Sequence, residues 1–175
     1  MSLLGEEIVE EWLNRKGYFT IRGVKLGVHE IDLLAIKVHD PTRIERRHIE
    51  VQVSVRPVSY ICRVPKAVQK ATGRAANSAK RNADELREGV KEWVQKKYDL
   101  PRKRSLMQEL CSGDWTRELV VHNVKAKEEL ALIRSHGVKV HQLSTVVAEL
   151  RDQPSMISAA SGGDLMELVQ LGAGI

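Results

Sequence analysis

Two β-strands joined by a turn, each with a carboxylate set among apolar residues, constrain this chain more than any other feature. His29 to Val38 is rich in branched aliphatic residues, and Arg47 to Val55 alternates strictly between polar and apolar. Asp40-Pro41-Thr42 between them is a turn signal, so the two segments are expected to pair as an antiparallel hairpin. Because strand side chains alternate, Ile49, Val51, Val53 and Val55 share one face, and His48, Glu50, Gln52 and Ser54 share the other. On the first strand Glu30, Asp32, Leu34 and Ile36 share a face. A charge inside a sheet is costly unless it is paired or bound to a metal. Two like charges on adjacent strands add repulsion. Three arrangements answer that cost: a solvated face, ion pairs with Lys or Arg from the basic helix that follows, or a divalent cation. Leu34 and Ile36 beside Asp32 argue against solvation, and the cation is the favoured reading. A hard ion such as magnesium takes carboxylate and carbonyl oxygens, and no Cys/His spacing suggests zinc.

Around this hairpin the chain reads as alternating helices and strands. Leu4, Ile8 and Trp12 recur every four residues with Val9 and Leu13 beside them, an amphipathic helix for which Ser2 is the expected N-cap and Gly17 the stop. Tyr18 to Ile21 reads as a short strand, with Gly23 and Gly27 bracketing a turn. Val64 to Tyr98 reads as a long helical stretch, broken near Gly73 or Gly89. Asp99 to Asp114, which holds Pro101 and the Arg102-Lys103-Arg104 cluster, reads as a loop. Then come a strand over Arg117–Val124, a helix over Ala126–Ser135 ended by Gly137, a strand over Val138–Leu143 and a helix over Ser144–Arg151. This order predicts an α/β (α+β) fold with a central mixed sheet flanked by helices. Residues 1–152 form the expected domain. Residues 153–175 are expected as a mobile small-residue linker, 154–163, followed by a short helix, 164–171.

At 175 residues the chain is about one domain long and can bury a core without a metal or disulfide staple. It contains no apolar run long enough for a membrane span, and its start turns acidic too soon for a secretory signal. Cys62 and Cys111 are too few for a disulfide framework, which fits reduced thiols in a cytoplasmic protein. The net charge of +5 is unevenly spread. Arg56 to Arg104 holds 14 basic and 5 acidic residues, a local +9, while the rest of the chain nets −4. A basic block on a mildly acidic body points to a polyanion partner.

Asp32 in His29-Glu30-Ile31-Asp32-Leu33-Leu34-Ala35, followed one strand later by Glu50-Val51-Gln52, resembles the PD-(D/E)XK nuclease superfamily. The opening Gly5-Glu6-Glu7 to Gly17-Tyr18 and the later Gly137-Val138-Lys139-Val140 run resemble its first and closing elements, most nearly those of Mrr-type endonucleases and archaeal Holliday-junction resolvases. The resemblance implies a restriction-endonuclease-like αβββαβ core and a DNA endonuclease. Asp32, Glu50 and the Val51 carbonyl would hold Mg2+, with Mn2+ as a substitute. Glu6, or Glu7 one position on, would complete the shell. The superfamily's usual lysine, two residues after the glutamate, is Gln52 here. Glutamine can orient a water but carries no charge; Gln52 would position the attacking water, and Lys66 and Lys70 of the following helix are candidates for the lysine's place. Arg56, Arg63, Lys66, Lys70 and Arg74 are expected to hold phosphates of duplex or branched DNA, and the resemblance implies a homodimer. Gln52 also supports an alternative, a catalytically inactive DNA-binding module of the same fold. The C-terminal segment suggests a third, a structural assembly subunit.

Overall fold

The hairpin around Asp40 forms and becomes the centre of a five-stranded sheet. A computed structural model describes residues 2–54 and 56–152 of the chain. Its elements run α1 (Ser2–Arg15), β1 (Phe19–Leu26), β2 (His29–Asp40), β3 (Arg43–Gln52), α2 (Lys66–Thr72), α3 (Ala83–Tyr98), α4 (Pro101–Leu110), β4 (Thr116–Val121), α5 (Lys127–Ser135), β5 (Val138–Gln142) and α6 (Leu143–Asp152). The strands lie in the order β1-β2-β3-β4-β5. The first three form an antiparallel meander, and β4 and β5 are added parallel to β3. This is the expected α+β mixed sheet, open at both edges. The β2–β3 turn is fixed by Asp40, whose Oδ1 accepts the backbone N–H groups of Thr42 and Arg43, both at 2.8 Å.

Helices cover both faces. On one, Val9, Trp12 and Leu13 of α1 and Val146 and Leu150 of α6 pack on Leu33, Ala35, Ile49, Val51 and Val120. On the other, Leu86, Val90, Val94 and Tyr98 of α3 and Leu130 and Ile133 of α5 pack on Leu119, Val121 and Val138. Adjacent strand residues turn to opposite faces, which is why Val120 enters the first layer and Leu119 and Val121 the second. In α4, Met107 reaches Ile31 and Leu34 of β2.

The long helical stretch is two helices with a gap, and the break falls at Gly73, which caps α2 in the left-handed region at φ +67°. Ala75 and Ala79, within that stretch, lie outside both helices. The start of α3 is set by a capping box: the Asn82 side chain accepts the Glu85 N–H, and Glu85 accepts the Asn82 N–H. Gly89 lies inside α3, where a Cβ would stand 2.8 Å from the Arg63 carbonyl oxygen. Gly89→Ala should therefore destabilise the protein by about 1–3 kcal/mol despite alanine's better helix propensity, read as a lowered midpoint in urea unfolding.

Other expectations need correction. Asp99–Asp114 is not a loop, because Pro101 opens α4 at its first position and Lys103 and Met107, one turn apart, both face inward. Gly23 does not bracket a turn, because β1 runs through it to a two-residue turn at Gly27-Val28. The strand read over Arg47–Val55 begins earlier, at Arg43. Ser2, read as a cap, is already the first residue of α1. The linker 154–163 and helix 164–171 lie outside the described residues.

Candidate active site

The two carboxylates meet across β2 and β3. Leu34 pairs with His48 and Leu33 with Ile49, and one further step in that register sets Asp32 opposite Glu50. The Val51 N–H donates to Asp32 Oδ2 at 2.8 Å, while Asp32 Oδ1 accepts no hydrogen bond among the described residues. On the other side of Asp32 stands Gly23 of β1, in the left-handed region at φ +67°. A Cβ there would meet nothing nearer than Glu30 Oε1 at 3.8 Å, so no side chain crowds β1 at this point.

Glu50 is almost fully buried, at 1% exposure, and its charge is answered from three elements. Lys97, from the last turn of α3, donates to Oε2, and Lys103 of α4 donates to Oε1 at 3.1 Å. His48, two residues back on β3, bonds Oε1 at 3.1 Å and packs its ring against Tyr98, 4.8 Å between centroids. Burial alone would push the Glu50 carboxyl up. His48, Lys97 and Lys103 overcome that and hold it down at about 2. Asp32 goes the other way: burial first, then the charge of Glu50, lift it from its ordinary 3.8 to about 7. Burial opposes the charge on Lys97, but Glu50 and Asp32 outweigh it and keep that pKa above the usual lysine value. In Lys103 burial prevails over Glu50 and the pKa falls. Burial also lowers His48, which favours a neutral ring whose Nε2–H donates to Glu50.

The third acid is Glu6. It is buried at the start of α1, where Gly5 lies against Val51 and Val53 so closely that a Cβ would come within 2.9 Å of Val53. Its negative charge contributes to the rise at Asp32, whereas Glu7 faces outward to Arg22. Of the two glutamates, Glu6 is the buried one and the one whose charge acts on Asp32. Gln52 is half-buried at the end of β3, and its side-chain amide has no hydrogen-bond partner among the described residues.

The lysines at Glu50 are Lys97 and Lys103, not Lys66 or Lys70. Lys66 and Lys70 sit exposed on α2, a helix with no buried residue, and make no contact with either carboxylate. Arg56 and Arg63 are likewise exposed. Arg74 binds Glu85 and the Lys80 carbonyl, so its guanidinium anchors the approach to α3. Lys97 and Lys103 fell within the basic block but carried no local sign of their role. The signal that was present is helical spacing after Leu100-Pro101, which turns Lys103 to the same side as Met107. His48 was visible, two residues before Glu50 on the same face.

Another buried carboxylate, Glu118, lies on the opposite face, at a cavity of about 370 Å³. Arg47, Thr116 and His141 together satisfy both its oxygens and hold it at about 2. That cluster is a closed ion-pair network, whereas Asp32 keeps a free oxygen.

No family model matches this chain. No curated protein matches it either. A solved structure similar to it is that of a protein of unknown function, AF1548, at 14% identity and a TM-score of 0.45. The match covers 82% of this chain and 59% of that one, so the chain spans about three-fifths of that protein's length.

The donor set suits a hard cation in one respect and restricts it in another. Asp32 offers an unbonded oxygen and feels the repulsion of Glu50 and Glu6, which a bound cation would relieve. Among the described residues no three His, Cys, Asp or Glu side chains are grouped to hold an ion by themselves. Such a site fits magnesium, which commonly takes one or two carboxylates and fills the rest of its shell with water and phosphate oxygens. Among the described residues no helix is long and apolar enough to cross a membrane.

Proposed function

We propose that the Asp32–Glu50 face is the active site of a magnesium-dependent nuclease that hydrolyses phosphodiester bonds of DNA. The observation that carries this reading is the opposition of two unlike carboxylates on one sheet face, one kept charged by lysines and one left short of a partner. Asp32 and Glu50, with the Val51 carbonyl, would hold the ion. When bound, it would polarise the scissile phosphate and lower the pKa of a coordinated water.

The chain's own groups supply the rest. Lys97 stands partly exposed beside Glu50 and can place its ammonium against a phosphate oxygen, the charge that Gln52 cannot provide. Lys103, fully enclosed, keeps Glu50 ionised, and His48 fixes its orientation. The unbonded amide of Gln52 orients the attacking water, and Glu6 adds negative charge behind Asp32. One P–O ester bond breaks as the water oxygen bonds to phosphorus, and the departing oxygen takes up a proton. Exposed Arg56, Arg63, Lys66 and Lys70 would hold flanking phosphates, and a second copy would cut the other strand.

Incubation with plasmid DNA and Mg2+ or Mn2+ tests this. Cleavage should disappear in Asp32→Ala, and Lys97→Met should lower kcat by about a hundredfold or more with little change in KM. Cleavage that survives Asp32→Ala would overturn the assignment. DNA binding with neither cleavage nor heat on magnesium titration would instead support the inactive DNA-binding module.

A further inference from the structure

The tip of the β1–β2 hairpin carries a side chain that folding does not account for. Gly27 at φ +66° opens the two-residue turn, the geometry in which glycine takes the first central position. Val28 takes the second and is 95% exposed, more than any other large apolar residue described. Turns of this kind favour small polar residues there, because a branched apolar side chain gains nothing in water. The tip is also flanked by charge. Arg102 lies beside the turn, its Nη1 3.8 Å from where a Cβ on Gly27 would stand. Lys25 precedes the turn on β1, and neither cation makes an ion pair among the described residues.

This tip is coupled to the candidate site through covalent neighbours. Val28 lies four residues before Asp32 on the same hairpin, about 13 Å along the strand at about 3.3 Å per residue. Arg102 directly precedes Lys103, which is buried against Glu50. A nucleic-acid strand with a phosphate at Asp32 that ran along the hairpin would reach Val28 about four base steps away, at about 3.4 Å per step, and pass Arg102 and Lys25 there.

We infer that Val28 is a wedge that enters an opened base step a few steps along the duplex from the cleaved phosphate, with Arg102 and Lys25 holding the backbone there. The inference rests on the nuclease reading of the Asp32–Glu50 face and adds to it a substrate feature: a duplex that is unstacked, or easily unstacked, a few base steps from the scissile bond. Inserted apolar side chains act this way, trading stacking for a distorted duplex with more protein contact.

The test uses the full chain without divalent metal, so that no cleavage intervenes. Binding is read by anisotropy and unstacking by 2-aminopurine fluorescence, on a short duplex with the probe beside a central one-base bulge and on its fully paired counterpart. Wild-type protein should raise probe fluorescence more on the bulged duplex. Val28→Ser, a change at an exposed turn position, should lose most of that rise while Kd changes less than about threefold, because phosphate contacts carry the affinity. An undiminished rise in Val28→Ser overturns the wedge and leaves the nuclease reading standing. Absence of any DNA binding by wild-type protein overturns both.

Discussion

Asp32→Asn should make the protein more stable at pH 8 while abolishing cleavage. The native pKa of Asp32, about 7, lies above its ordinary 3.8, so folding takes up a proton between those values. A group shifted this way favours the folded state at low pH, and that advantage is lost as pH rises through the native pKa. Above pH 7 the fold carries an ionised Asp32 against Glu50 and Glu6. At about 1.4 kcal/mol per pKa unit the cost reaches at most about 4 kcal/mol, and partial exposure to water reduces it to about 2 kcal/mol. Asparagine keeps an oxygen for the Val51 N–H and removes the charge. Urea unfolding at pH 8 should show the gain, and at pH 4 the two proteins should nearly coincide. Equal stability at pH 8 would mean that Asp32 is ionised at no cost. The site would then lack the strain that a cation is proposed to relieve.

Glu50→Gln should move stability the other way, although it also removes a candidate metal ligand. Glu50 answers Lys103, whose side chain is only 2% exposed, so the amide leaves a buried ammonium without its counter-charge. Breaking one side of such a pair costs about 3–5 kcal/mol. Lys97, 30% exposed, can turn to water and adds little to the loss. The loss should shrink as pH rises, because a buried lysine with a lowered pKa gives up its proton on folding and favours the folded state at higher pH. Adding Lys103→Met should recover much of the stability, since the two residues act as one unit. A double variant no more stable than Glu50→Gln would show that Lys103 is not compensated through Glu50. Two carboxylates that face each other are thus expected to give stability changes of opposite sign.

What could be read in advance follows from how local each signal is. The β2–β3 hairpin and its two acids were legible because alternation and the Asp-Pro-Thr turn are written within some twenty-five residues, and pleating then dictates which side chains meet. Glu6 was an expectation of the resemblance, with Glu7 as its alternative, and burial separates the two. The lysines were not legible. Their relation to Glu50 spans 47 and 53 residues, and only the docking of α3 and α4 creates it. The basic triplet at 102–104 resembled a solvated loop because composition does not distinguish its three members. Arg102 flanks the hairpin tip, Lys103 is buried, and Arg104 pairs with Asp99. Gly73 ended α2 as its left-handed geometry requires, whereas Gly89, the alternative break, lies inside α3 and admits the Arg63 carbonyl.

The wide sequence separation between Glu50 and its lysines also orders events during synthesis. A chain emerging N-terminus first completes the β1–β3 meander while Lys97 and Lys103 are still unmade. Until those residues appear, any pairing of β2 with β3 brings Asp32 and Glu50 face to face with only His48, protons and solvent ions to shield them. The nascent meander therefore carries this repulsion until the α3–α4 corner arrives with the neutralising charge.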